Sequence, residues 1–93
     1  MSYFIVTIDY IKPIDVVELH TPAHREFLAG LQQRGLLLAS GPFVPRTGGM
    51  LIMQAESLEQ ADAALDHDPF RQHEVARYQL REWAPKLGLE RLQ

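Results

Sequence analysis

The first apolar stretch, Tyr3 to Tyr10, is dense in β-branched and aromatic residues and too short for an ordinary helix, so it predicts a first strand. Lys12 to Leu19 reads as a loop, with Pro13 breaking any continuation of that strand. A helical period then sets in after His20. Thr21 suits the N-cap and Pro22 the first helical position, where a missing N–H costs nothing. Phe27, Leu28 and Leu31 supply the apolar face, and Gly35 stands where a C-terminal cap belongs.

Leu36 to Ser40 reads as a second strand ending in the Gly41-Pro42 breaker, Pro45 to Gly49 as a hairpin turn, and Met50 to Ala55 as a third strand. Ser57 to Gln60 matches a capping box. The helix it opens is expected to bury Leu58, Ala61 and Leu65, and to stop at Asp68 because Pro69 disfavours helical geometry in the residue before it. Phe70 to His73 forms a short turn. Val75 to Trp83 alternates as a fourth strand, with Ala76, Tyr78 and Leu80 on one face. The order is βαββαβ, a single α+β domain spanning residues 1–93.

Two helices cannot cover both faces of a four-stranded sheet. Yet in the first strand Phe4, Val6 and Ile8 on one side and Tyr3 and Ile5 on the other are apolar; in the third, Leu51 and Met53 face away from Met50 and Ile52. An apolar second face marks an interface, so two copies are expected to pair sheet against sheet as a homodimer. The alternative is that loops of the same chain cover it. The absence of cysteine points the same way, because a 93-residue domain without disulfides often gains stability by oligomerising.

A net charge of −3 and arginines scattered from Arg25 to Arg91 leave no basic footprint for nucleic acid. No apolar run approaches a membrane span, and the N-terminus carries no signal-peptide pattern, so the cytoplasm is the expected location. Phosphate loops, nucleophile elbows and paired zinc-ligand motifs are missing from the sequence, which implies no cofactor and no metal.

His24 and Asp68 remain. His24 shares the inward helical face with Phe27, Leu28 and Leu31 and is placed in the first turn, where the helix dipole favours a neutral, proton-accepting imidazole. The residues alone favour a core histidine with one satisfied hydrogen bond over a catalytic one. Asp68, fixed by Pro69 near the start of the fourth strand, can accept from an imidazole N–H, or serve only as turn chemistry. His20 and His24 lie four apart, but a helix starting between them denies them a shared metal. His67 and His73 read as solvated, with His73 able to compete for Asp68.

The chain as a whole resembles the YCII-related (YciI-like) family. The likeness rests on the first strand Tyr3 to Ile8, Pro22-Ala23-His24, the run Gly35 to Pro42, Gly49, Ser57-Leu58-Glu59 and Asp68-Pro69-Phe70, in that order. It implies a ferredoxin-like fold pairing into a dimeric α/β barrel, with His24 and Asp68 as a catalytic pair in a pocket lined by Ser40, Gly41 and Pro42. A related branch removes chloride from chlorinated hydroxyquinone-type aromatics. Relatives often carry an arginine three residues before the histidine, where this chain has Thr21; either Arg25 or Arg46 would then hold an anionic substrate, or the chain binds something else. The resulting expectation is a cofactor-independent, lyase- or dehydrochlorinase-like acid–base enzyme acting on a small aromatic or anionic molecule. A binding or sensing module without turnover is the alternative. A haem-using relative, with His24 or His73 as axial ligand, is a third.

Overall fold

The computed structural model describes residues 1–92. Its elements are β1 (Ser2–Tyr10), α1 (Ile14–Gln33), β2 (Leu37–Pro42), β3 (Gly48–Ala55), α2 (Leu58–Ala64), α3 (Pro69–Gln72) and β4 (Ala76–Trp83), followed by a 3₁₀ turn at Leu89–Leu92. The strands form one antiparallel sheet in the order β2-β3-β1-β4, the ferredoxin-like arrangement expected of βαββαβ.

Alternation along the central strands decides which face is core. Phe4, Val6 and Ile8 of β1 and Leu51, Met53 and Ala55 of β3 are buried beneath the helices, together with Leu28, Leu31, Leu65 and Phe70. Tyr3, Ile5, Thr7, Met50 and Ile52 point to the opposite face and stay partly exposed. Gly48 lets β3 approach β1: a Cβ there would lie 1.8 Å from the Ile8 carbonyl oxygen.

α1 begins earlier than Thr21-Pro22 suggests. It starts at Ile14, after Pro13 at the N-cap, and runs straight through Pro22. Its buried stripe, Val17, Thr21, His24, Leu28 and Leu31, keeps helical spacing across the proline. Burial of that stripe outweighs the penalty of about 3 kcal/mol for an interior proline. Lys12–Leu19 is therefore mostly helix rather than loop, and Thr21 is an interior residue whose hydroxyl donates to the Val17 carbonyl at 2.7 Å. The far end matches expectation: Gly35, at φ 78°, donates to Gln32 while Leu36 donates to Leu31, the double bond of a Schellman cap.

The second helical region also differs. α2 stops at Ala64, and Asp68 caps the separate turn α3 instead of ending a longer helix. Ser57 caps α2 as expected, accepting from Gln60 N–H at 3.0 Å, but the Gln60 side chain reaches back to Glu56 N–H rather than to Ser57's own. Ala61 and Leu65 are buried, whereas Leu58, at the outer side of the first turn, is exposed. Strand edges shift by one or two residues, with β2 extending through Gly41-Pro42 and β3 opening at Gly48.

Candidate active site

α1 and α3 bring His24 and Asp68 together. Asp68 takes the extended backbone of an N-cap, and Pro69 supplies the preset φ of the first helical position. Its Oδ1 accepts the Phe70 N–H at 3.0 Å, the ordinary service of a cap, and also accepts from His24 Nδ1 at 2.8 Å. Its Oδ2 accepts from the Tyr78 hydroxyl on β4. Both oxygens of a fully buried carboxyl are thus used by donors.

The same bonds fix the imidazole. With a carboxylate opposite, Nδ1 carries the proton and Nε2 is left as the acceptor of the neutral ring. Among the described residues no side-chain nitrogen or oxygen is both buried and unpartnered, so Nε2 is open to the space beside it. The Phe70 ring lies parallel to the imidazole, centroids 3.9 Å apart. The dipole argument from a first-turn position does not apply, because His24 sits well inside α1; the Asp68 bond, not the helix end, sets its tautomer.

Tyr78 was not singled out by the sequence reading. Burial, and then the charge and hydrogen bond of Asp68, hold its phenol well above the usual value of 10.0, with Arg71 opposing. The available signal was its inward place on a strand, since a buried tyrosine hydroxyl needs a partner.

Beside His24 lies a cavity of about 300 Å³ between α1, the β2–β3 hairpin and the helix-covered face of the sheet. Ser40, Gly41, Pro42, Arg25 and Arg46 all line it, as does His24. Ile8, Leu28, Leu51 and Phe70 form apolar wall, and Tyr10 and Thr21 add hydroxyls. Arg46 donates to Thr21 Oγ1 at 3.2 Å and to Tyr10 Oη at 3.4 Å; its nearest carboxylate, Glu18, is 3.9 Å away and largely exposed. Among the described residues the cavity wall holds two guanidinium groups and no carboxylate.

His20 and His24 do share α1 at helical spacing, contrary to the reading that a helix start separates them. They serve different neighbours: the His20 ring stacks on His73, centroids 4.3 Å apart, while His24 is held by Asp68. His73 therefore does not take the partner's place beside Asp68. His67 is exposed near Gln72. Among the described residues no three His, Cys, Asp or Glu side chains gather to hold a metal ion, and no helix is long and apolar enough to cross a membrane.

Residues 1–84 match the profile of the YCII-related domain. The chain is 36% identical over 67 residues to the uncharacterized protein YjpA of Bacillus subtilis (strain 168), covering 72% of this chain and 79% of that one. Its fold is similar to the 5-chloro-2-hydroxyhydroquinone dehydrochlorinase TftG of Burkholderia phenoliruptrix AC1100, solved with 2,5-dihydroxybenzoquinone. That similarity has a TM-score of 0.76 at 23% identity, over 92% of this chain and 96% of that one.

Proposed function

The chain belongs to the YCII-related family, and we propose that within it the protein is a cofactor-independent acid–base enzyme acting on a small anionic or phenolic molecule. One observation carries this reading: a histidine that lines a cavity while its Nδ1 is bound to a buried aspartate. His24 is the general base, taking a proton from a hydroxyl or an activated C–H of the substrate. The imidazolium so formed lies opposite the Asp68 carboxylate, which lowers the cost of that charge.

The cavity's size and wall support the substrate class. At about 300 Å³ it sits at the small end of ligand sites, which run from roughly 300 to 1,000 Å³. Arg46 and Arg25 attract a negative group, the apolar wall takes a carbon skeleton, and the Ser40-Gly41-Pro42 segment bounds the other side. The dihydroxybenzoquinone bound by TftG has this character, a compact ring with acidic hydroxyls. The same reading has the protein working in the cytoplasm as a homodimer joined through the open sheet face.

The test is a screen of substituted phenols, hydroxyquinones and small carboxylic acids against the wild type and His24→Gln. Turnover that falls by about 10²–10⁴-fold in the variant supports the assignment. Saturable binding without product in the wild type would instead make the protein a small-molecule binding module.

A further inference from the structure

We propose that Tyr78 is a positioning residue that sets the working pH of the His24–Asp68 pair by holding the aspartate oxygen turned away from the histidine. The inference rests on His24 being the base. Tyr78 is not among the residues that line the cavity; it acts through Asp68.

The division of labour on the carboxylate is the basis. Oδ1 serves the Phe70 N–H and His24 Nδ1, so nothing on α1 or α3 serves Oδ2. Tyr78, reaching from β4, is its donor. Remove that hydroxyl and a fully buried anionic oxygen loses its hydrogen bond, a condition a buried carboxylate relieves by drawing in a proton. That added proton comes from solvent and rests on Nε2, where the more basic carboxylate facing Nδ1 stabilises the imidazolium. The pair then holds its proton to higher pH, and Nε2 is free to act as a base over a narrower range.

Other charges around the pair are accounted for. His20 and Arg25 lie on α1, Arg46 on the hairpin, Tyr10 on β1, Asp62 on α2, and Arg71 and His73 on or beside α3. Arg71 is paired with Asp62 at 2.6 Å and stands over the Tyr78 ring at 5.8 Å. Arg25 and Arg46 are unaltered by a change at position 78, so a shift on removing the phenol oxygen reports the Oδ2 bond itself.

The experiment is an NMR pH titration of the His24 ring, its resonance identified by loss in His24→Gln. Tyr78→Phe is expected to raise the His24 midpoint by on the order of one pH unit. Placing 3-fluorotyrosine at position 78 alone, a stronger donor of nearly the same shape, is expected to lower it. An unmoved midpoint in a folded Tyr78→Phe protein overturns the proposal, and so does a rise with fluorotyrosine. If the phenylalanine variant does not fold, the direction of the fluorotyrosine shift decides alone. No substrate is needed: the shifts without any turnover would uphold this role while removing the enzyme reading, and turnover without the shifts would do the reverse.

Discussion

Phe70 lies flat against His24, with the two ring planes 5° apart, while its own backbone N–H donates to the Asp68 oxygen that also holds the imidazole. One residue therefore fixes the plane of the ring and half of the carboxylate's orientation. Its side chain is also core, 2% exposed. Phe70→Ala is expected to cost about 3–5 kcal/mol of stability. Phe70→Leu retains most of the buried volume and the backbone bond, so it should unfold close to the wild type in urea. If stacking orients the base, that leucine variant still loses activity; wild-type rates in it would show that Asp68 alone suffices.

Asp68→Asn separates charge from shape. An asparagine oxygen can still cap α3 and accept from His24 Nδ1, and its amide can donate to the Tyr78 oxygen, so every bond has a possible successor. What disappears is the negative charge that stabilises the imidazolium. The expected outcome is a folded protein, with a urea midpoint near the wild type, whose turnover drops by about 10²–10⁴-fold. Asp68→Ala strips acceptors from three donors at once and should be destabilised by several kcal/mol, on the order of 3–5.

Arg46 is held by two neutral oxygens, those of Thr21 and Tyr10, rather than by a close carboxylate. Its charge is therefore available to a ligand. Arg46→Ala is expected to raise KM for an anionic substrate at least about tenfold with a smaller change in kcat, because it removes binding common to ground and transition states. Arg46→Lys should rescue only in part, since an ammonium cannot present a planar fork to Thr21, Tyr10 and a ligand together. Equal KM values for anionic and neutral substrates in the wild type would refute the anion-binding role.

Stability in alkali should carry the mark of Tyr78. Its folded pKa is raised above the ordinary 10.0, so the folded state binds the phenolic proton more tightly than the unfolded chain does. That contribution is complete below about pH 10 and is lost as pH rises above it towards the folded value. Urea midpoints of the wild type should fall between about pH 10 and 11.5, and those of Tyr78→Phe should fall less over the same interval. Parallel curves would show that the phenol ionises as freely folded as unfolded.

Much of this arrangement is legible in the sequence, for reasons that differ by residue. The strand period of two sorts Tyr3–Tyr10 and Met50–Ala55 into two faces, but because both faces are apolar only the structure shows which one the helices cover. Asp68-Pro69 is only half legible: proline marks a break in the chain, but the same pair reads as the end of one helix when it is in fact the cap and first position of the next. The start of α1 is not legible, since Thr21-Pro22 imitates a helix start in the middle of a helix. The overlooked signal was Val17, seven residues before His24 and on the same stripe. Tyr78 and Phe70 escape for another reason: what they do depends on Asp68, which is 10 residues from Tyr78 and supplies a different oxygen to each.

The uncovered sheet face yields the last prediction. Ile5 of β1 is paired across the ladder with Ile52 of β3, and Met50 and Ile52 both point away from the helices and remain partly exposed. Ile5 also faces Arg81 on β4, so the apolar ground lies over the β1–β3 side and becomes charged towards the β4 edge. Burying apolar ground of this kind against a second copy favours association at roughly 25 cal/mol per Å², whereas an unpaired charge in its middle costs several kcal/mol. Light scattering should therefore give the wild type twice its chain mass of 10.6 kDa. Ile52→Arg should give the single-chain value with an unchanged far-UV spectrum, because the position is not part of the helix-covered core. A wild type that stays at 10.6 kDa at tens of micromolar would remove the dimer, and would leave the open face to be explained by some other partner.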